Sequence, residues 1–291
     1  MSLQPGEYGA FLNGVEINYT VEGKGPLLFA VASGWGVGSG HIRKGLEPLT
    51  ANFTLVCVTP RGSGRSSRPA DETAMGSSTM ADDLDHLRRH LGLGQIDLFG
   101  HSNGAAIALS YAARYPRHCR KLVLADSQLI GFSAHQATMD ILERRKGDPR
   151  FTKALELMPG RASLACDDKA VTDFLIATFP LYFFRPEKNM AKTVETFDLP
   201  IESWAAFKQR AADSEPSATQ LHLPPLVEAE TLILVGREDL QCPVETSERI
   251  ASGISNAKLI ILEECGHIPW AEQPDIFFSE IRDFLSSSHC P

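Results

Sequence analysis

Three residue types at the ends of apolar runs could do chemistry together: a serine, an acid and a histidine. Gly100-His101-Ser102-Asn103-Gly104 follows Ile96-Asp97-Leu98-Phe99 and precedes the small-residue run Ala105-Ala106-Ile107-Ala108-Leu109. This is G-x-S-x-G between a strand pattern and a helix pattern. In so sharp a turn, side chains two before and two after the centre collide unless they are glycine, and Gly100 and Gly104 stand there. The Ser102 hydroxyl is then held at a helix N-terminus, where free N–H groups favour developing negative charge. A serine also needs a base to take its proton and a third group to orient that base. Gly236-Arg237-Glu238-Asp239 follows a buried-strand pattern, so Asp239 stands at that strand's carboxyl end. Cys265-Gly266-His267 follows the last strand pattern in the same way. The chemistry expected of Ser102, Asp239 and His267 is nucleophilic attack on a carbonyl.

Each assignment has rivals. Asp126 ends the strand after the serine's helix and is a second place from which an acid could reach the histidine; Glu238 neighbours Asp239 but points another way. Asp239 ranks ahead of Asp126, and Asp126 ahead of Glu238. Of nine histidines, His101 lies inside the turn and cannot also be the base. His41, His135 and His222 are read as surface or satisfied residues, although each could reach a pocket. His267 is the one that follows the last strand.

The elements that must position these residues alternate. Tyr8–Leu12 and Val15–Val21 flank Asn13-Gly14, a hairpin signal. Leu27–Ala32, Thr54–Val58, Ile96–Phe99, Lys121–Asp126, Thr231–Gly236 and Lys258–Leu262 are apolar runs that read as strands of a parallel sheet buried on both faces. A helix starts near Ser77–Thr79 with Asp82 and Asp83 expected in its first turn, and buries Met80, Leu84, Leu87 and Leu91. Further helices are expected over Val244 to about Ser252 and, as the last, over Ala271–Leu285. Strand–helix alternation stops between Ser127 and about Glu228. That stretch is helical by pattern, interrupted by prolines, and holds eight of the fifteen phenylalanines. It reads as a cap inserted after the sixth strand, some of whose aromatics line an apolar pocket over Ser102. The domains are therefore a core of residues 1–126 and 229–291 and a cap of residues 127–228.

Other functions find little support. The net charge of −8 gives nucleic-acid binding no electrostatic basis. The first residues, from Met1 and Ser2, lack a basic and then apolar leader, and no apolar run is long enough to span a bilayer. Ser288-His289-Cys290-Pro291 is neither a prenylation box nor a peroxisomal tripeptide. Six scattered cysteines, with no C-x-x-C and no zinc spacing, fit reduced thiols in the cytoplasm. The glycine loop Ser33–Gly40 does not match dinucleotide-binding spacing, and no acid ends the next strand. Its N–H groups are instead placed to face the nucleophile. The loop Pro60–Pro69 lacks the lysine of a phosphate-binding loop and reads as a connector.

Gly62-Ser63-Gly64-Arg65-Ser66, Gly100 to Gly104, Gly236 to Asp239 with Cys242-Pro243, and Gly266-His267 together resemble an α/β-hydrolase-fold serine hydrolase along essentially the whole chain. Within that superfamily the chain is most similar to the prolyl-iminopeptidase-like and small-ester-hydrolase branch. The resemblance implies an α/β fold: a mostly parallel sheet of about eight strands, flanked by helices and carrying a helical cap. It also implies Ser102 as nucleophile, Asp239 as acid and His267 as base. Oxyanion donors would be the backbone N–H of Asn103 and one from Trp35 or Gly34. No cofactor and no metal are implied. One departure is Ser33-Gly34-Trp35-Gly36, where relatives carry His-Gly; the amine-binding acid of an iminopeptidase is not identifiable among Glu187, Glu195 and Glu202. Serine at position 102, in place of aspartate, argues against aspartyl-ester epoxide-hydrolase or dehalogenase chemistry. The expected partner is a small, largely apolar carbonyl compound: an ester, thioester or lactone. Alternatives are C–C cleavage or lactone-forming acyl transfer by the same residues, and a small-molecule receptor with negligible turnover.

Overall fold

The computed structural model describes residues 3–163 and 166–287. Met1, Ser2 and the terminal residues 288–291, Cys290 among them, lie outside the described residues. Among the described residues eight strands form one sheet in the order β1-β2-β4-β3-β5-β6-β7-β8. They are β1 (Gly6–Leu12), β2 (Val15–Gly23), β3 (Leu27–Val31), β4 (Thr54–Val58), β5 (Ile96–His101), β6 (Cys119–Ala125), β7 (Glu230–Gly236) and β8 (Ala257–Leu262). The first two pair antiparallel through the Asn13-Gly14 turn, and β2 also pairs antiparallel with β4. All other pairings are parallel.

Eleven helices follow in chain order among the described residues. Those between the strands are α1 (Gly40–Gly45), α2 (Ser77–His90) and α3 (Asn103–Arg114). The insert between β6 and β7 holds α4 (His135–Arg145), α5 (Thr152–Leu157), α6 (Asp168–Thr178), α7 (Pro186–Val194) and α8 (Ser203–Asp213). Then come α9 (Val244–Ala251), α10 (Pro269–Glu272) and α11 (Pro274–Ser286).

Strand alternation divides the core into two apolar layers. Phe29, Val31, Val56, Val58, Leu122 and Leu124 face one side, with α2, α3 and α9. Leu28, Ala30, Leu55, Cys57, Val123 and Ala125 face the other, with α1 and α11. Burial on both faces is why the inner strands are apolar runs rather than alternating ones.

Two local expectations are corrected. The last helix is broken, because Pro274 has no N–H to continue α10 and instead starts α11 at its first position. Helix α2 begins at Ser77, so Asp82 and Asp83 fall in its second turn and do other work. Asp83 binds buried Arg61 (Nε to Oδ2, 2.7 Å), and Asp82 accepts from the Tyr115 hydroxyl at 2.6 Å. The Arg61 guanidinium of the Pro60–Pro69 loop is thus occupied within the chain.

Candidate active site

Five non-glycine residues among those described have a positive φ, and four of them follow the carboxyl ends of strands: Trp35 after β3, Ser102 after β5, Asp126 after β6 and Glu264 after β8. Strained backbone of this kind collects where side chains must be aimed. Ser102 has φ 56° and ψ −123° and stands immediately before α3. Its N–H donates to Ala125 O (3.0 Å), and its carbonyl accepts from Gln128 N–H (3.1 Å). A Cβ at Gly100 would meet Gly104 O at 2.4 Å, and one at Gly104 would meet Val31 O at 2.5 Å. Both glycines therefore permit the close approach of turn, helix and neighbouring strand.

His267 and Asp239 form a buried pair. His267 Nδ1 lies 2.8 Å from Asp239 Oδ2. Asp239 Oδ1 accepts from Gln241 N–H at 2.7 Å and Cys242 N–H at 3.1 Å. Burial pushes the Asp239 carboxyl upward, but the charge and hydrogen bond of His267 and the two N–H donors outweigh it and hold the group below its usual value. Because a carboxylate oxygen only accepts, the proton of this bond sits on Nδ1, which leaves a lone pair on the other ring nitrogen of a neutral imidazole. Among the described residues neither rival acid takes the hydrogen bond of His267. Asp126 is fully buried and its Oδ1 accepts from Gly236 N–H at 2.9 Å. Glu238 pairs with Arg144 at 2.9 Å.

The other histidines also sort. His101 is buried, and since a carbonyl only accepts, its Nε2 donates to His267 O at 2.7 Å. His41 stacks on Phe197 with ring centroids 4.9 Å apart, and burial pulls its pKa down to about 3. His135 is exposed beside a second, more polar cavity of about 400 Å³, whereas His222 borders neither cavity.

Ser102, Asn103 and His267 open onto a cavity of about 340 Å³ between sheet and insert. Phe174, Phe179, Tyr182, Phe197 and Phe207 of the insert line it, together with Trp35. Phe151 and Phe183 are instead buried in packing, and Trp204 lies under the Arg68 guanidinium at 4.5 Å. Of the expected oxyanion donors, the Asn103 N–H has no acceptor among the described residues. The Trp35 N–H differs from expectation: it donates to Gln209 Oε1 at 2.6 Å, and Gly34 N–H donates to Asn103 Oδ1 at 3.3 Å.

Several residues that hold the site gave no signal in the sequence. Glu272 accepts from Gly266 N–H (2.7 Å) and Arg185 N–H (2.9 Å), tying the histidine loop to the insert. Arg145 binds the carbonyls of Leu181 (2.6 Å) and Glu238 (2.7 Å), doing the same for the acid loop. In sequence Glu272 is one helical acid among many, and Arg145 is part of the basic run Arg144-Arg145-Lys146.

Asp239, Cys242 and His267, all buried, are the one group of metal-ligating types found close together among the described residues, with ligand atoms within 4.8 Å of one another. Both Asp239 oxygens are already bonded within the chain, and burial, reinforced by Asp239 and Asp126, holds Cys242 as a neutral thiol. The donor set fits proton transfer better than a cation.

A model of the α/β hydrolase fold family matches residues 31–274. The chain belongs to the α/β-hydrolase fold family. A 2-hydroxy-6-oxo-2,4-heptadienoate hydrolase of Pseudomonas putida is 26% identical over 276 residues, 94% of each chain. The proline iminopeptidase PfmaB of Pestalotiopsis fici is also 26% identical, over 94% of this chain and 97% of its own. An alpha/beta fold family hydrolase from Bacillus anthracis superposes with a TM-score of 0.74 at 20% identity, over 96% of this chain and 99% of that one. This α/β hydrolase thus shares its fold with relatives along nearly its whole length. No helix among its described residues is long and apolar enough to cross a membrane.

Proposed function

We propose that the protein is a serine hydrolase that forms an acyl-enzyme on Ser102 with a largely apolar carbonyl substrate. The observation that carries this reading is the convergence of strained Ser102 and the His267–Asp239 pair on one aromatic cavity. Ser102 Oγ attacks the carbonyl carbon while His267 takes the hydroxyl proton. Asp239 orients the ring and stabilises the imidazolium. The tetrahedral oxyanion is held by the Asn103 N–H and by the Trp35 N–H once it is released, each donor contributing about 3 kcal/mol. His267 then returns the proton to the leaving group, and water resolves the ester. We assign residues 127–228 the role of a cap that shapes the acyl site.

One observation favours a second reading, cleavage of a C–C bond beside a ketone. Arg210 borders the cavity, whose described lining carries no acidic side chain. Among the relatives is a hydrolase of a 6-oxo-dienoate, a ketone that carries a carboxylate. Arg210 would be the counter-ion for such a group. The missing acid weighs against an iminopeptidase, which must hold a free amine.

Nitrophenyl esters of increasing acyl length, followed through the first turnover with wild type and Ser102→Ala, test the proposal. A burst followed by steady release, both lost in the variant, is the expected result. Turnover retained by Ser102→Ala would sink it. Mass spectrometry of products from a carboxylated vinylogous diketone separates the readings, since C–C hydrolysis yields two acids or an acid and a ketone-bearing fragment with one added water.

A further inference from the structure

One residue of the insert holds the loop that faces Ser102. Gln209, on α8, is fully buried. Its Oε1 accepts the Trp35 N–H at 2.6 Å and its Nε2 donates to Asn103 Oδ1 at 2.7 Å. A Cβ at Gly34 would lie 1.9 Å from the same Oε1, so the amide fills the space against the loop. Asn103 is fixed in turn: its Nδ2 donates to Ser77 Oγ at 3.2 Å and to Gln128 Oε1 at 3.1 Å. Both loop N–H groups named as oxyanion donors are thus taken by side-chain oxygens, while the Asn103 N–H stays open. Oxyanion stabilisation needs the donors aimed at the new charge, not at a resident amide.

We propose that Gln209 is a positioning residue that closes the oxyanion site of the empty enzyme, and that substrates filling the cavity open it through α8. The inference rests on the reading that Ser102 is the nucleophile and the Trp35 N–H one of its donors. The link lies within one helical turn. Ala206, Phe207 and Arg210 line the cavity, and Gln209 stands between the last two. An acyl chain seated against Phe207 presses on the turn that carries the amide. The Trp35 N–H then exchanges a neutral amide oxygen for an oxyanion, the stronger acceptor. A short acyl group leaves Phe207 untouched and must displace the amide unaided. The insert thereby selects substrates by their effect on the oxyanion site as well as by fit.

The probes are two nitrophenyl phosphonates, one methyl and one octyl, which place an anionic phosphoryl oxygen where the oxyanion forms. Nitrophenol release gives the rate, and peptide mass the labelled residue. Gln209→Met keeps length and removes the acceptor together with the Nε2 donor to Asn103, whose Oδ1 keeps the Gly34 N–H and whose Nδ2 keeps Ser77 and Gln128. It should react with the methyl reagent about five-fold faster than wild type, the worth of one hydrogen bond, and with the octyl reagent at nearly the wild-type rate. Gln209→Glu keeps an acceptor and adds a charge beside the developing anion, and should be slower than wild type with both. A Gln209→Met rate at or below wild type with the methyl reagent overturns the proposal, and so does an equal gain with both reagents. Should Gln209→Met fail to fold, wild-type rates in Gln209→Glu overturn it equally. Failure of both reagents to label Ser102 in wild type is a different result, which removes the serine reading itself.

Discussion

Asp126 and Asp239 lie fully buried near one another, and two carboxylates so placed cannot both be charged. Burial first, and the Asp239 charge second, raise the Asp126 carboxyl well above its usual range, so it is neutral beside an ionised Asp239. The signs oppose each other. Asp126, raised on folding, adds stability below its unfolded value and loses it as pH rises through the folded one. Asp239, lowered on folding, adds stability above its unfolded value and loses it as pH falls through the folded one. Asp126→Asn keeps an acceptor for Gly236 N–H and removes the titration. Its Tm relative to wild type should therefore be higher at pH 8 than at pH 4.5; an equal offset at both would show that Asp126 is ionised in the native protein. Asp239→Asn should lower kcat by ~10⁴-fold with an unchanged circular dichroism spectrum, by analogy with the loss of an orienting acid elsewhere. The two thiols near the site are held protonated by burial. After iodoacetamide at neutral pH, peptide mapping should find exposed Cys166 modified and Cys242 and Cys265 intact; early loss of Cys242 would contradict this. Ser102, Asp239 and His267 are legible in the sequence because each follows an apolar run that fixes its place at a strand end. Gln209 is not, because a glutamine between Lys208 and Arg210 carries no signal of burial. Its burial depends on where α8 folds back.

At the scale of elements, the turn between β5 and α3 shows why small residues recur. Gly104 packs against the backbone of β3, where an added Cβ would also come within 3.0 Å of the Ala32 carbonyl. Gly104→Ala should cost about 1–3 kcal/mol in urea unfolding, the usual effect of overpacking, and should lower activity by misplacing Ser102. A wild-type midpoint and rate would mean that the strand yields more easily than the geometry implies. The strands were legible because burial on both faces leaves them no polar positions. Helix ends were less so. Pro274 splits the final helix though its apolar spacing runs on, and the acids of α2 serve Arg61 and Tyr115 rather than the helix start. Period alone cannot separate a continuous helix from two in register, nor a dipole partner from a tertiary one.

At the scale of the molecule, the aromatics of the insert divide between packing and cavity, a division that composition does not contain. Phe183 is fully buried against the core, whereas half-buried Phe207 borders the cavity. Phe183→Ala should cost about 3–5 kcal/mol. Phe207→Ala should leave Tm within a few degrees and move the preferred acyl chain to greater length, as read from the nitrophenyl ester series. An unchanged preference would place the acyl group elsewhere. The path of the insert has one further consequence. It leaves at the end of β6 and returns at the start of β7, and these two strands are direct neighbours in parallel register from Lys121–Glu230 to Ala125–Leu234. Its two ends are therefore clamped by hydrogen bonds that do not depend on what lies between them. In descent, such a segment can lengthen, shorten or be replaced without shifting the sheet. What the insert presents to the cavity can then change while the strand ends below it keep their places, with contacts such as those of Gln209, Arg145 and Glu272 the stitches that each new segment must remake.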